Sequence, residues 1–428
     1  MDDTVYTLRR SLTPDDHARY IELPFELPPG TEMLTVVCTV DGQDRVGTLV
    51  DLGLRDPARV RGWSGGARDE FTVGCEAATP GYLAGGLTPG RWAVLLASNR
   101  VPAEGCSVVV TVTCAAERPR WLAGDLHTHS VHSDGSYELA EAISLARAAG
   151  LDYVALTDHN TSSQNLAYPR DAAIVCIPGM ELTTFRGHCT LLGVADPIDD
   201  FRATTDEEVR QCMAAARERG ARVVLAHPFE SSCVGCDWGW SWDVGYDWVE
   251  VWNGPWRPDN ERMLNWWQAE LAGGRRVVGV GGSDTHRPHP YIRHGWPTTW
   301  VYSRSRTVEG ILEAIGRGHV FLSYAPAGPA IELRCGAAMM GDVAAQAPDD
   351  EAHSVQLRVK RLAARDIVRV ISERGLEQEQ VITRGQETIE LAWPAERRFY
   401  RAEVWRFFPQ VNQTLMAAMC NPIYLQPA

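Results

Sequence analysis

The sequence predicts an α/β chain in three parts: a β-sandwich over residues 1–118, a βα barrel over 119–328 and a second β-sandwich over 329–428. Three observations predict it. The first part holds short β-branched runs punctuated by Gly and Pro. The middle alternates amphipathic helices with apolar strands, the texture of βα units. From about Pro329 the alternation returns to period 2. The length of 428 residues agrees, since one hydrophobic core rarely grows past roughly 250–300 residues.

In the first part, Met33–Val40, Arg45–Leu52, Trp92–Ala97 and Ser107–Val112 read as strands, with turn signals at Asp41-Gly42 and Pro89-Gly90. In the middle, Leu139–Ala149 is a helix closed by Gly150, and Tyr153–Thr157 is a strand. Helix Asp206–Arg219 precedes strand Arg222–Ala226, and strand Trp248–Trp252 precedes helix Asp259–Ala272. Strand Arg276–Val280 and helix Val308–Arg317 complete the series, which predicts a parallel sheet closed as a barrel. The last part reads as strands at Ala330–Leu333, Val355–Val359, Ile367–Ile371 and Phe399–Val404.

Composition excludes several functions. Of 41 basic residues only Lys360 is a lysine, so no P-loop lysine is available, nor a lysine nucleophile before it. A net charge of −14 argues against coating nucleic acid. No apolar run is long enough to span a membrane, and the acidic start Met1-Asp2-Asp3 lacks a signal-peptide core. Eleven cysteines without an export signal point to mostly free thiols in a reducing compartment, here the cytoplasm. Cys233-Val234-Gly235-Cys236 is the one CxxC. Without a second ligand pair it reads as coincidence or a redox pair before a structural zinc.

Nine of the twelve histidines lie between His127 and His294, at strand ends or in the loops after them. His127-Thr128-His129 places two imidazoles on one face of a strand, and Asp134 follows in a Ser-Asp-Gly turn. Asp158-His159, Glu181, His188, His227 and Asp284-Thr285-His286 add further donors at separate strand ends. In a βα barrel such ends converge on one face, where active sites sit.

These motifs, Asp-Leu-His-Thr-His with Ser-Asp-Gly, Thr-Asp-His, Gly-Met-Glu, His-Pro and Ser-Asp-Thr-His, resemble the ordered motifs of the polymerase-and-histidinol-phosphatase (PHP) domain. The resemblance covers roughly Trp121–Gly328. Gly187-His188, Glu250–Gly254, the appended β-domain and Asn421–Leu425 resemble the CehA/McbA-like metallohydrolase branch. The resemblance implies a distorted (β/α)7 barrel and two or three divalent ions of Zn, Mn or Fe. By position, the first would take His127, His129, Glu181 and Asp284. Glu181 would bridge to a second, held also by His227 and His188. A third would take Asp134, His159 and His286, with Asp134 standing where some members have histidine.

Such a cluster explains hydrolysis without a serine or cysteine nucleophile, through a metal-bridging hydroxide. The expected function is a phosphoesterase acting on a small phosphomonoester or phosphodiester, with carbamate, ester or amide hydrolysis as the competitor and a non-catalytic metal-containing module as a remote reading. Glu181 and Asp284 are candidate catalytic groups, with His132 as proton donor to a leaving group and Arg287 as phosphate clamp or surface salt bridge. Asn160, Arg186, Asn253, Arg257 and His289 are candidate substrate contacts. Asp125 and Asp158 either orient ligand imidazoles or cap strand ends. Eight of fifteen tryptophans fall in residues 230–270, where they either wall a substrate pocket or pack between domains. The expected partner is a small molecule, with homo-oligomer formation left open and the first sandwich as a packing partner or dimer surface.

Overall fold

The computed structural model describes residues 2–41, 48–75, 77–169, 174–346 and 354–427. The chain divides into two compact units, Met1–Pro119 with Pro169–Ala173, and Arg120–Tyr168 with Ile174–Ala428.

The first unit is built from two four-stranded antiparallel sheets. Thr4–Leu12, Cys106–Ala116, Thr31–Asp41 and Glu70–Gly74 form one; Tyr20–Leu27, Gly90–Arg100, Leu49–Arg55 and Val60–Gly65 form the other. Strand Cys106–Ala116 shows why the residues fold this way. Val108, Val110, Val112 and Cys114 point into the core and the residues between them point away. Both sheets feed one hydrophobic cluster that includes Leu23, Phe25, Val36, Leu54, Phe71 and Trp92. Gly42 and residues 45–47 of the expected strand Arg45–Leu52 lie outside the described residues, and the described strand there is Leu49–Arg55.

In the second unit the four helices form where the periodicity places them: Leu139–Ala148, Asp206–Glu218, Pro258–Ala272 and Val308–Gly316. The strands form a run in the order Val278–Gly282, Trp248–Asn253, Arg222–Ala226, Gly187–Leu192, Val175–Thr184, Tyr153–Leu156, Arg120–Thr128 and Thr298–Ser303. The expected all-parallel sheet is corrected here to a mixed one. Gly187–Leu192 is antiparallel to both its neighbours, and Thr298–Ser303 is antiparallel to Arg120–Thr128. A tight hairpin turn at Phe185-Arg186 reverses the chain, and Gly187 at φ 123° makes that reversal accessible.

The run is an open path of sheet ladders. The segment after Val278–Gly282 makes one parallel bridge to Arg120–Thr128, Thr128 to Thr285, with Asp284 N donating to His127 O at 2.8 Å and His129 N to Thr285 O at 2.9 Å. Beyond Thr298–Ser303 the sheet continues through Val320–Ser323 into Gln413–Cys420, Phe399–Phe408, Ile367–Ser372 and Gly375–Val381. A separate four-stranded sheet of Ala338–Met339, Ala330–Cys335, Val355–Lys360 and Thr388–Trp393 shares a core with those strands. Among the described residues, no helix is long and apolar enough to cross a membrane.

Candidate metal centre

Six strands of the run deliver a donor near an end. His127 and His129 close Arg120–Thr128, His159 follows Tyr153–Leu156, Glu181 sits in Val175–Thr184, and His188 opens the returning arm of the hairpin. His227 follows Arg222–Ala226, and Asp284 and His286 follow Val278–Gly282. Register fixes their neighbourhood: His188 pairs with Ala226, one residue before His227, and His159 bridges Glu181.

The donor atoms meet around Glu181, which is fully buried. Its Oε2 lies 3.3 Å from both His127 Nε2 and His129 Nε2. Those two nitrogens are 3.1 Å apart, and Asp284 Oδ1 lies 3.1 Å from His129 Nε2 and 3.5 Å from His127 Nε2. Ligands held at about 2.0–2.1 Å in a tetrahedron stand roughly 3.3 Å from one another, so the spacing of His127, His129 and Glu181 suits three donors to one cation. The other oxygen, Oε1, is 3.1 Å from His188 Nδ1 and 3.2 Å from His227 Nε2. A third set forms at the mouth, where Asp134 Oδ1 lies 3.6 Å from His159 Nε2 and 3.4 Å from His286 Nε2. His129, His127, Glu181 and His159 each belong to two of the groups close enough to share an ion, so the sets are continuous.

Two further observations fit cations here. Glu181 Oε2 and His129 Nδ1 are buried without a hydrogen-bond partner, a costly arrangement for a carboxylate oxygen above all. Two candidate ligand residues also hold left-handed backbone, His227 at φ 30° and Asp284 at φ 54°, the kind of strain that is retained where geometry serves a site. Burial alone would lower the His127 pKa, but Asp284, Glu181 and Glu250 outweigh it and raise it well above its usual range. Burial would raise Glu181 and Asp284, and the facing histidines hold both well below the usual carboxylate range.

The residue the sequence reading left without a role is Glu250. It lies buried on Trp248–Asn253, with its carboxylate 3.3 Å from His127 Nδ1, and it accepts from His227 N at 2.9 Å and Asn253 Nδ2 at 3.1 Å. One carboxylate thus fixes two ligand residues. Gly282 leaves the space for this: a Cβ there would stand 2.3 Å from His127 Cβ and 2.6 Å from Glu250 Oε1. The signal was a lone acid in an otherwise apolar strand, Trp-Val-Glu-Val-Trp. Asp125 and Asp158, by contrast, hold backbone. Asp125 accepts from Ser283 N and Gly295 N, and burial raises its pKa to about 6. Asp158 accepts from Ser130 N and from the Ser130 and Ser133 hydroxyls.

Of the candidate substrate contacts, Asn253 and Arg257 line the cavity over the cluster, which measures about 330 Å³. Asn253 Nδ2 is 3.4 Å from Asp284 Oδ2; Arg257 donates to Glu230 and to Asn253 Oδ1, and its Nε is buried without a partner. The other candidates are engaged elsewhere. Asn160 ties Thr183 through its backbone N–H and C=O. Arg186 donates to Gly239 O and lies over the Trp240 ring at 4.5 Å. Arg287 reaches the Asp134 carbonyl at 3.3 Å, His132 Nδ1 contacts Ser163 Oγ at 2.8 Å, and His289 Nδ1 accepts from Tyr291 N and Ile292 N. Their sequence positions near motifs did not determine where their side chains point.

Cys233 and Cys236 also line the cavity, and they form a disulfide, against the expectation of coincidence. Cys38, Cys106, Cys114, Cys189, Cys212 and Cys420 are free thiols. Most of the tryptophans pack. Trp238, Trp240, Trp248, Trp252 and Trp267 are buried in the core of the second unit, and Trp242 stacks on Trp266 at 4.2 Å.

No family model and no curated protein sequence matches this chain. Among solved structures it is similar to a two-domain protein from Bacteroides vulgatus containing a predicted PHP-like metal-dependent phosphoesterase, at 16% identity over 70% of this chain and 95% of that one, with a TM-score of 0.40. It is also similar to an amidohydrolase from Chromobacterium violaceum with bound sulfate and no metal, at 18% identity over 40% of this chain and 89% of that one, with a TM-score of 0.30.

Proposed function

We propose that the chain is a metal-dependent hydrolase of small molecules. One observation carries the reading: the two oxygens of buried Glu181 face two sets of candidate donors, His127, His129 and His159 at Oε2 and His188 and His227 at Oε1. Divalent ions held there would polarise a substrate oxygen and make a water acidic near neutral pH. The chain's residues do the rest. Glu250 holds His127 and the His227 backbone in register, Asn253 faces Asp284, and Arg257 presents a guanidinium to the same cavity.

The favoured substrate is a small phosphomonoester or phosphodiester, because Arg257 keeps a buried N–H without a partner beside the cluster, suited to an anionic oxygen. A carbamate, ester or amide is the second reading. It is favoured by the engagement of Arg186 with Gly239 and Trp240, outside the cavity lining, and of Arg287 with the Asp134 carbonyl, which leaves less free positive charge than a phosphate clamp would use.

The test is metal analysis of the purified chain, followed by assays of p-nitrophenyl phosphate, bis-p-nitrophenyl phosphate and 1-naphthyl carbamate after loading with Mn, Zn or Fe. Turnover of a phosphate substrate is expected. Full metal occupancy with no turnover of any of the three would overturn the hydrolase reading. Glu181→Ala is expected to lose bound metal and at least a hundredfold in activity together; retention of both would remove Glu181 as the bridge.

A further inference from the structure

The disulfide between Cys233 and Cys236 lies in the loop that joins the surroundings of both donors at Glu181 Oε1, His188 and His227. That loop, residues 228–238, leaves His227 and is closed at its base by Trp238 N donating to Pro228 O at 2.8 Å. Its tip reaches the hairpin. Gly235, between the two cysteines, accepts from Gly187 N at 2.9 Å, and Gly187 directly precedes His188. The approach is close: Gly235 holds φ 82°, and a Cβ there would stand 2.6 Å from Phe185 O. The loop also sets Arg257, because Glu230 accepts from Arg257 Nη2 while Ser232 N donates to Glu230 Oε1 at 2.8 Å.

The pair is reachable. Cys233 and Val234 are exposed, and Cys236 is half-buried. Cys233 lines the metal cavity and also a second cavity of about 660 Å³, walled by Phe229, Trp238 and Trp242. A reagent can therefore approach it without entering the metal cavity. Other cysteines are placed differently. Cys38, Cys114 and Cys420 are buried, and burial raises the thiol pKa of Cys38 and Cys114 to about 11 and that of Cys420 to about 12. Thiols held protonated and out of reach are poor partners in exchange, and an exposed Cys-x-x-Cys pair is the opposite case. The donors at Glu181 Oε2 come from other segments: His127 and His129 close Arg120–Thr128, and His159 follows Tyr153–Leu156.

We propose that Cys233 and Cys236 are a redox-active pair that exchanges with a dithiol, and that its oxidised form holds the loop that positions His188 and His227. The proposal rests on the reading of the Glu181 cluster as a metal centre and adds redox control of one half of it. In the reductive step a thiolate of the donor attacks Sγ of Cys233, the more exposed cysteine. The S–S bond breaks, and Cys236 leaves as a thiolate and takes up a proton. The donor's second thiol then attacks the mixed disulfide. Cys233 is released as a thiol and the donor is left as its own disulfide, so two electrons and the donor's two protons pass to the pair. Opening the ring frees the turn at Val234-Gly235, and with it the hold of Gly235 on Gly187 and the setting of Glu230. His188 and His227 then grip a cation less well, while His127, His129 and His159 keep their places.

The experiment compares the full chain oxidised, the same chain reduced with dithiothreitol and desalted without air, and the double variant Cys233→Ser/Cys236→Ser, with circular dichroism confirming the fold. Alkylation with iodoacetamide followed by peptide mapping reads the pair itself. Cys233 and Cys236 are expected to resist labelling in the oxidised chain, to label after dithiothreitol, and to be protected again after oxidised glutathione. Manganese titration against a competing chelator reads the metal centre. One bound equivalent is expected to weaken about tenfold in the reduced chain and in the double variant, with another unchanged. The double variant is expected not to respond to dithiothreitol, and His188→Ala to lack the responsive equivalent. Equal labelling before and after dithiothreitol, equal manganese affinity in the oxidised and reduced chain, or an undiminished response in the double variant or in His188→Ala would each overturn the proposal. A pair that exchanges in a chain that binds no manganese in any state would instead overturn the metal centre, and with it the control assigned to the pair.

Discussion

At the scale of single residues, the outer partner of a ligand is as informative as the ligand. Glu250 holds His127 and reaches the His227 backbone, so Glu250→Gln should leave the strand intact yet weaken divalent-metal binding by 10–100-fold, measured by titration with a competing chelator. Unchanged affinity would reduce Glu250 to a packing group. The convergence of these side chains was legible because His and acidic residues at five strand ends are hard to explain otherwise. Glu250 was not, since an acid in a strand usually marks an exposed face, and only packing reveals that both faces of this strand are covered. A second residue argues a pH dependence. His294 is buried with Nε2 unpartnered, packs near Tyr137, and burial lowers its pKa from 6.5 to about 4. Between these values the unfolded chain binds a proton that the folded chain refuses. Stability is therefore full above about pH 6.5 and falls as pH drops toward 4, by at most about 3 kcal/mol. His294→Leu should flatten urea-unfolding stability across that window, and an unaltered slope would assign the acid sensitivity to other groups.

At the scale of elements, the helices were the most legible part because their start signals act locally. Thr205 accepts from Glu208 N, and the Glu208 side chain returns to the Thr205 backbone, a complete capping box that begins Asp206–Glu218 where the sequence places it. Thr205→Ala should cost about 1 kcal/mol in urea unfolding while leaving bound metal unchanged. Loss of metal would mean that this helix supports the site directly. Strands buried on both faces were harder. Gly187–Leu192 is buried along its whole length, so it has no alternation to read, and its antiparallel pairing depends on a hairpin turn that the expected crossover pattern hid. That hairpin matters for function because it sets His188 opposite Thr183 and beside His227. The tryptophan-rich segment was misleading for a related reason. Composition placed eight rings in residues 230–270 without saying which would be covered, and only Trp252 and Trp256 of these line the aromatic cavity beside Gly254 and Pro255.

At the scale of the whole molecule, the acidic balance is a property of where the charge is placed. Residues 119–328 carry 18 basic and 26 acidic side chains, and four of those acids, Asp134, Glu181, Glu250 and Asp284, belong to the ligand cluster or hold it. Bringing them together with six histidines is costly unless protons or cations balance the charge. Three imidazole nitrogens crowd Glu181 Oε2, His159 Nδ1 at 2.9 Å and His127 Nε2 and His129 Nε2 at 3.3 Å. Bound divalent ions would satisfy that oxygen and tie six strand ends into one unit, so their binding energy adds to the stability of the fold. Dialysis against a strong chelator should therefore lower the thermal midpoint, on the order of 5 °C, and readdition of Zn or Mn should restore it. The gap between loaded and stripped chain should widen from pH 6 to pH 8, because imidazoles must give up protons to bind metal. A midpoint indifferent to chelation at both pH values would mean that the cluster is held by its own hydrogen bonds, and the reading of Glu181 as a bridge between cations would fall with it.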